Sequence, residues 1–348
     1  MTFDSRKIEY FLAVVEHRNI SCAAEALRVS QPTLSRQIHA LERQFNTPLF
    51  VRHGRGVAPT EAGKRLQEGL RGLERQLRTL RDDVAAAARE PSGEVAIGIP
   101  PSPRMLLGVS IIGAFCKAYP QVTVRISEET SGDLRDLVAR GEVDLAIINP
   151  DEPVQGLASD LLVNEPMLLV GPPDAGLSLH APTPTERLAE LPLILTTRPN
   201  SLRRMVELAL SQRGLEPRLR VEANTLPLMT DLVAQGLGYT VLPSCGVFSL
   251  VKAGRLSASP LEGLRITWMV ARPVNRSLSV AARLMHDIVF RMVHDLVETG
   301  AWPLATIEPG CSAAVRRQAQ AKAASTPHLV AAAKQRQPGN LRLRSKRR

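Results

Sequence analysis

Apolar residues recur at helical spacing through the first 45 residues, which predicts three short helices around one small core. The first helix has one apolar face, formed by Ile8, Phe11, Leu12 and Val15. The second has small apolar residues that permit close packing, at Ala23, Ala24 and Leu27. The third has apolar residues at spacings of four, three and four, at Leu34, Ile38, Leu41 and Phe45.

The break between the second and third helices falls at Arg28-Val29-Ser30. Ser30 is a favourable N-cap, and Pro32 is tolerated in the first turn because the amides there have no intrahelical partner. The face opposite the apolar stripe carries Pro32, Arg36, His39 and Arg43, flanked by Thr33 and Ser35. Short hydroxyls and a guanidinium near a helix N-terminus suit phosphates and base edges in a major groove. We therefore favour DNA binding over the alternative, a solvated face of an ordinary helical hairpin.

A short basic ribbon is predicted next along the chain. Leu49, Phe50 and Val51 indicate a strand, and the tight tip at Gly54 and Gly56 carries basic residues, at Arg52, His53 and Arg55. Such a ribbon is typical of a wing that lies along the phosphate backbone or enters the minor groove.

These segments together resemble a known family. AAEALRVSQPTLSRQIHALE and PLFVRHGRGVAPTEAG are similar to the winged helix-turn-helix of LysR-type transcriptional regulators, without gaps over roughly the first 65 residues. The resemblance implies that one helix enters the major groove, with contacts from Gln31, Pro32, Thr33, Ser35 and Arg36. It also implies that Arg52 and Arg55 of the wing contact the backbone or the minor groove. Ser21, at the start of the preceding helix, completes the predicted DNA-binding set.

From Glu61 the chain is predicted to form one long helix that ends near Pro91. Its apolar residues alternate at spacings of four and three, at Leu66, Leu70, Leu73, Leu77, Leu80 and Val84. A seam of period 3.5 pairs with another helix, whereas the alternative is packing on the core of the same chain. We favour pairing between two copies, because no neighbouring segment offers a long partner helix. A homodimer or homotetramer would then present its recognition helices to an inverted DNA repeat.

From Glu94 the pattern changes to alternating strands and helices. Strands are predicted at 95–99, 122–126, 144–148, 166–171, 191–196, 218–223, 239–243 and 265–271. This alternation predicts parallel sheets with helices on both faces, arranged as two α/β lobes joined by crossing segments. Up to about residue 305 the pattern resembles the periplasmic-binding-protein-like effector domain that the LysR family carries.

Ligands of open α/β sheets bind beyond the carboxyl ends of the strands. Four strand-to-helix junctions carry small polar residues, at Pro101-Ser102, Thr130-Ser131, Asn200-Ser201 and Asn224-Thr225. Their hydroxyls, amides and free backbone N–H groups can hold an anion, although each is also an ordinary N-cap. The predicted effector-binding residues are Ser102, Thr130, Asn200, Ser201 and Thr225. A small carboxylate metabolite is the expected ligand.

Composition limits location and chemistry. The absence of an 18-residue apolar run and the polar N-terminus predict a cytoplasmic protein with no membrane partner. The four cysteines have no metal-ligand spacing, and we expect Cys22 and Cys116 to be buried. No catalytic, metal or nucleotide motif is found, so neither an enzyme activity nor a cofactor is expected. The alternatives are an enzyme and a sensor gated by oxidation of Cys245.

The net charge of +10 is concentrated near the C-terminus. Residues 301–348 hold ten Lys or Arg and one acidic residue, whereas the first 300 residues hold 34 basic and 33 acidic residues. The tail is predicted not to fold, and it either adds attraction to phosphates or has no function.

The predicted architecture is α/β with four parts. These are a winged helix-turn-helix (1–60), a dimerisation linker helix (61–90), an effector-binding domain (91–305) and a basic tail (306–348). Lobe I of the effector-binding domain comprises 91–163 and 268–305, and lobe II comprises 164–267. The predicted function is sequence-specific, ligand-responsive regulation of transcription, with double-stranded DNA and a small-molecule effector as partners.

Overall fold

The computed structural model describes residues 5–53, 56–67, 69–70, 72–73, 80, 91–149, 156–274 and 276–307. Its first unit contains the helices α1 (Ser5–His17), α2 (Ile20–Ala26) and α3 (Gln31–Phe45). An antiparallel ribbon follows, formed by β1 (Phe50–His53) and β2 (Gly56–Pro59). This order confirms the winged helix-turn-helix that the sequence predicts.

The core of this unit confirms the predicted stripes of α2 and α3. Ala23, Ala24, Leu34, Ile38 and Leu41 are buried, and Phe45 packs against them. The stripe of α1 is centred differently, because its fully buried residues are Phe11 and Val14. Ile8, Leu12 and Val15 pack around those two residues and are only partly buried.

Local interactions fix the helix ends and the ribbon. Ser30 has extended backbone, and its side chain accepts a hydrogen bond from the Thr33 N–H, which makes it the N-cap of α3. Gly56 has φ +140°, and a Cβ atom there would lie 2.4 Å from the Arg18 carbonyl oxygen. The neighbouring Val57 N–H donates to that same oxygen over 2.9 Å. Only glycine lets the ribbon approach the end of α1 this closely.

The linker helix begins at residue 61, and residues 61–67, 69, 70, 72, 73 and 80 of it are described as helical. Leu70 is buried, and Leu66 packs against the same core as the winged helix-turn-helix. Further along, Leu73 is 44% exposed and Leu80 is 61% exposed. The predicted seam therefore divides, with its start on the core of its own chain and its later described residues uncovered. The seam residues at 77 and 84 lie outside the described part.

The second unit is built around a six-stranded sheet of order β4-β3-β5-β10-β6-β9 and a two-stranded sheet, β7-β8. The strands are β3 (Gly93–Gly98), β4 (Val122–Ser127), β5 (Leu145–Ile148), β6 (Leu157–Gly171), β7 (Leu193–Leu195), β8 (Leu219–Glu222), β9 (Thr240–Pro243) and β10 (Ser257–Pro273). The longer helices are α4 (Val109–Ala118), α5 (Ser131–Ala139), α6 (Ser201–Ser211), α7 (Leu226–Ala234), α8 (Ser244–Lys252) and α9 (Val280–Glu298). Short helical turns at Pro101–Pro103, Arg104–Gly108 and Thr185–Ala189 connect them.

The prediction of parallel sheets is confirmed only in part, because the six-stranded sheet is mixed. β3 runs parallel to β4 and β5, and β7 runs parallel to β8, as predicted. However, β10 is antiparallel to β5 and β6, and β6 is antiparallel to β9. The cause is the pair β6 and β10, which extend well beyond the predicted segments 166–171 and 265–271. They pair along almost their whole length and so join the two lobes.

The lobes follow from this topology. The first lobe contains β3, β4 and β5 with α4, α5 and α9, and the second contains β7, β8 and β9 with α6, α7 and α8. The main apolar core spans both lobes and includes Ile97, Phe115, Trp268 and Phe290.

Among the described residues, no helix combines the length and the apolar character that a membrane crossing requires.

Candidate DNA interface and inter-lobe cavity

The face of α3 opposite its buried stripe is open to solvent. Gln31, Pro32 and Arg36 are exposed, and Thr33 and Ser35 are partly exposed. His39 and Arg43 continue the exposed face toward the C-terminus of the helix, and Ser21 is exposed in the first turn of α2. The predicted DNA-contacting residues of the two helices are thus accessible from solvent.

Hydrogen bonds within α3 orient this face. Arg36 Nε donates to the Pro32 carbonyl oxygen over 3.3 Å, which directs the guanidinium toward the N-terminal turn. The hydroxyls of Ser30 and Thr33 lie 2.7 Å apart. A guanidinium and short hydroxyls at a helix N-terminus are suited to bind phosphate or a base edge.

Glu42 joins α3 to the wing, and sequence reasoning missed this role. Its Oε1 atom accepts hydrogen bonds from the backbone N–H groups of Leu49, at 2.8 Å, and of Phe50, at 3.2 Å. Its Oε2 atom lies 3.0 Å from His39 Nδ1. The carboxylate thus fixes where β1 begins relative to the recognition helix. Its position in the sequence gives no signal of this, since Glu42 resembles any polar residue on a helix surface.

The wing is described only in part. Arg52 lies in β1, where its backbone is paired opposite Val57. Arg55 lies outside the described residues, between the two strands.

A cavity with about 540 Å³ of empty space, partly open to solvent, lies between the two lobes. The first lobe supplies residues that follow β3, β4 and β5, and the second supplies residues that follow β7 and β8. The lining residues are Pro100, Pro101, Ser102, Thr130, Ser131, Asn149, Thr196, Asn200, Ser201, Leu202, Asn224, Leu226, Met229, Leu242 and Trp268. This is the position at which open α/β sheets bind ligands.

Four of the five predicted effector residues meet at this cavity, namely Ser102, Thr130, Asn200 and Ser201. Thr225 is not among the residues that line the cavity, although its neighbour Asn224 is. Thr225 is the N-cap position of α7, without a side-chain capping bond. Its hydroxyl therefore neither caps the helix nor contributes to the lining.

Two of the lining residues also cap helices. Thr130 accepts a hydrogen bond from the Asp133 N–H at the start of α5, and Asn200 accepts one from the Leu202 N–H at the start of α6. The capping and lining roles therefore coexist. Because helix N-termini carry partial positive charge, these two helix starts make the cavity favourable for an anion. Within the described part of the chain, the lining includes no charged side chain.

Sequence reasoning missed further residues of the lining, both polar and apolar. Asn149 follows β5, and its Oδ1 atom accepts a hydrogen bond from Ser201 Oγ over 3.0 Å. Thr196 has a buried hydroxyl without a hydrogen-bond partner in the described structure. Trp268 forms an apolar wall with Leu226, Met229 and Leu242. The polar residues at 149 and 196 come directly after buried strands, and that is the signal that could have found them.

The cavity opens outward into a wider cleft. The two share Thr130, Asn200, Ser201 and Asn224. The mouth of the cleft carries charged side chains of both signs, at Asp133, Arg135, Asp136, Arg198, Arg204 and Glu207. Arg198 and Glu207 form an ion pair with 3.0 Å between Nη2 and Oε1. Charged side chains thus lie at the entrance, whereas the lining of the inner cavity is uncharged and combines polar with apolar residues.

The environment of Cys245 argues against a sensor gated by oxidation of that thiol. The expectation that Cys22 and Cys116 are buried is wrong, because both are exposed, whereas Cys245 is buried. Burial, followed by the neighbouring charge of Glu165, raises the pKa of the Cys245 thiol well above its usual value. The thiol is the unreactive form, so Cys245 has the environment of a structural residue.

In the described residues, no group of His, Cys, Asp and Glu is arranged to hold a metal ion.

Comparison with known proteins agrees with this architecture. The family model for the bacterial regulatory helix-turn-helix protein of the lysR family matches residues 5–64. The model for the LysR substrate binding domain matches residues 88–292, more than half of the chain. The chain belongs to the LysR family. It is a ligand-responsive, DNA-binding transcriptional regulator of the LysR type.

Individual relatives of this LysR-family chain have low sequence identity to it, but the matches extend over most of both chains. The nitrogen assimilation regulatory protein nac of Escherichia coli (strain K12) is 28% identical over 304 residues, which are 86% of this chain and 98% of that protein. A full-length OxyR variant from Pseudomonas aeruginosa has a TM-score of 0.63 at 23% identity and covers 84% of this chain and 95% of its own. Full-length CbnR complexed with its target DNA has a TM-score of 0.60 at 21% identity, and the match covers 84% of this chain and 100% of the CbnR chain. The relative is named as a regulator, not as an enzyme, and the two structures share the fold.

Proposed function

We propose that this LysR-family regulator binds an inverted DNA repeat as a homodimer or homotetramer and that a small carboxylate in the inter-lobe cavity changes how it binds. The observation that carries the proposal is that one chain joins an exposed, arginine-bearing recognition helix to an uncharged cavity of mixed polar and apolar lining, at which helix N-termini meet. A regulator that acts on DNA works in the cytoplasm of a bacterium, which is the proposed location.

DNA is contacted by α3 and the wing. Gln31, Pro32, Thr33, Ser35 and Arg36 enter the major groove, with Ser21 on the adjacent helix, and Arg52 and Arg55 reach the phosphate backbone or the minor groove. Arg36 is the base-reading residue, because its guanidinium lies over the exposed first turn of the helix. Full-length CbnR, which shares this fold, has been solved in complex with its target DNA, and this supports DNA binding by α3 and the wing.

A second copy pairs along the linker helix. Leu73 and Leu80 are large apolar residues that remain 44% and 61% exposed in a single chain. Covering both requires a partner, and a second linker helix with the same seam supplies one.

The proposed domains are residues 1–60, 61–90 and 91–305, with the two lobes divided as the sequence predicts and with a basic tail at 306–348.

The chemistry of the cavity favours a small carboxylate. Hydroxyl and amide groups at helix starts bind an anion without a charged partner. The wall formed by Leu226, Met229, Leu242 and Trp268 contacts an apolar part of the same molecule. Within the described residues, no acidic side chain lines the cavity itself; acidic residues line the mouth of the cleft, and Glu165 lies behind Trp268.

The effector proposal is tested with a panel of small carboxylates and their uncharged amides. A binding carboxylate raises the melting temperature by mass action, and its amide does not. Ser102→Ala should blunt this shift and the change in DNA binding, while affinity for DNA without effector stays at the parent value. Ser110→Ala, on α4 outside the cavity lining, is the matched control. A normal response of Ser102→Ala would remove Ser102 from the site.

Gating requires the effector to favour one arrangement of the assembly over another. Closing the lobes around a carboxylate would change the relative placement of the paired DNA-binding domains.

The tail contributes non-specific attraction to phosphates. Deleting residues 309–348 should then weaken the salt dependence of DNA affinity, and an unchanged salt slope would show that the tail is inert.

A further inference from the structure

Glu165 is a fully buried carboxylate in β6, where this strand passes from one lobe to the other. It is 0% exposed. Trp268 Nε1 donates to its Oε1 atom over 2.6 Å, and Trp302 Nε1 donates to its Oε2 atom over 3.0 Å. The Ser244 hydroxyl and the Cys245 N–H, the latter at 2.9 Å, also donate to Oε2. Both tryptophans of the chain thus bind one carboxylate.

The donors to Glu165 form or support the walls of the inter-lobe cavity. Trp268 lines the cavity directly, whereas Glu165 is not among the lining residues. Ser244 and Cys245 begin α8, and the next residue, Gly246, packs against Ser102. A Cβ atom on Gly246 would lie 2.9 Å from Ser102 Oγ and 3.0 Å from Ser102 Cβ. The carboxylate therefore contacts Trp268 of the apolar wall and the start of α8, against which Ser102 packs.

The same carboxylate reaches the segment that follows α9. Trp302 is almost completely buried, and Ser244 Oγ lies within 3.2 Å of the Pro303 carbonyl oxygen. A buried carboxylate is costly to desolvate, so it is retained only where its hydrogen bonds are fully used. Here those bonds connect β6, β10, the start of α8 and the segment after α9.

We propose that Glu165 is the positioning residue of the effector cavity. Its hydrogen bonds hold the Trp268 indole and the turn from Ser244 to Gly246 in the positions that give the cavity its shape. Glu165 acts through these groups and does not touch the effector. The inference rests on the proposed function, since it treats this cavity as the effector site.

The test uses Trp268 as a reporter and needs no effector. Trp302→Phe leaves Trp268 as the only tryptophan. In this background, Glu165→Gln is compared with Asp144→Asn, a matched control whose carboxylate accepts from the Ala96 N–H over 2.9 Å and lies outside the cavity lining. The readouts are the near-ultraviolet circular dichroism of Trp268 and the quenching of its emission by acrylamide.

Glu165→Gln should raise the quenching constant of Trp268 about twofold and weaken its near-ultraviolet band, while Asp144→Asn matches its background. A folded Glu165→Gln protein with an unchanged Trp268 signal would overturn the inference. If Glu165→Gln does not fold, Ser244→Ala decides, because it removes one donor and keeps the carboxylate. Ser244→Ala should raise the quenching constant of Trp268 and weaken its near-ultraviolet band, each by less than Glu165→Gln does. If neither signal changes in Ser244→Ala, the inference is overturned. Because acrylamide reports on the wall directly, this failure is distinct from a failure to bind any carboxylate.

Discussion

Ser201 donates a hydrogen bond to Asn149 across the cleft, with 3.0 Å between Oγ and Oδ1. Ser201 begins α6 in the second lobe, and Asn149 follows β5 in the first, so this bond joins the lobes at the cavity. The Asn149 N–H also donates to Ser131 Oγ over 3.1 Å. We expect a ligand bound in the cavity to compete with this inter-lobe bond and thereby to change the relative positions of the lobes.

Removing this bond should destabilise the effector-binding domain. Ser201→Ala is expected to lower the free energy of unfolding by about 1 kcal/mol, because Asn149 is buried and loses one donor. Ser211→Ala is the matched control, since Ser211 lies on the same helix and its hydroxyl donates only to the exposed Leu208 carbonyl. Thermal unfolding of both variants measures the difference. Equal melting temperatures would show that the inter-lobe bond contributes nothing.

The contact between Glu42 and the wing should be needed for both stability and DNA binding. Glu42→Ala leaves the Leu49 and Phe50 N–H groups without their acceptor, which is expected to cost about 1–3 kcal/mol. DNA affinity should fall as well, because the wing is no longer fixed to α3. Glu25→Ala, an exposed change on α2, is the control. Denaturant unfolding and DNA titration test this, and full DNA affinity in Glu42→Ala would refute a role in placing the wing.

Much of the DNA-binding unit could be predicted because its determinants are local. The spacing of Leu34, Ile38 and Leu41 and the cap at Ser30 act within one helix, and the structure has them as expected. The approach of Glu42 to β1 depends on how the wing folds back, which no local pattern encodes. The burial of Cys22 and Cys116 was predicted wrongly for a related reason, since residue type alone does not show which helix face is covered.

The effector-binding domain was harder to predict where distant residues meet. The polar residues Asn164 and Glu165 interrupt the apolar run of β6, so only its second half was found. Both are satisfied across the sheet, by Thr267 and by Trp268, more than 100 positions away. The junctions around Ser102 and Ser201 were found because turn chemistry after a strand is local, whereas the Trp268 wall was not.

The half-buried cluster of Asp160, Arg272 and His286 should make stability depend on pH. Burial lowers the pKa of His286, but hydrogen bonds to Asp160 and Asp287 outweigh it, so this pKa lies above the usual 6.5. The hydrogen bond from His286, helped by Arg272, lowers the pKa of Asp160 to about 2. His286 therefore stabilises the fold below pH 6.5 and loses its contribution as pH rises through its raised pKa. Asp160 stabilises the fold above pH 3.8 and loses its contribution as pH falls toward about 2.

Asp160→Asn should consequently lower the melting temperature more at about pH 5.5 than at about pH 8.5, where His286 has lost part of its charge. Asp174→Asn, on an exposed loop, is the control and should change neither value. Melting curves across this pH range measure the effect. An equal decrease at both pH values would contradict the role of the protonated His286.

Gly246 offers a way to change the cavity without altering a lining residue. Gly246→Ala places a methyl group against Ser102, at 2.9 Å from Oγ and 3.0 Å from Cβ, so Ser102 must shift. Binding of a carboxylate identified by thermal shift should weaken about tenfold, while DNA affinity without effector is unchanged. Gly113→Ala, where an added Cβ meets open space, is the matched control. Parent-like carboxylate affinity in Gly246→Ala would show that the position of Ser102 does not matter.

The measurement that tests the account most directly is a competition titration of the purified protein, in which a duplex from its own promoter region competes with random duplex. The parent protein should prefer the promoter duplex as a dimer or tetramer. Arg36→Ala should lose about 1–3 kcal/mol of that preference, while Arg28→Ala, outside α3, keeps it. A strictly monomeric protein without preference for any duplex, or an Arg36→Ala variant that retains full selectivity, would contradict recognition of DNA through α3.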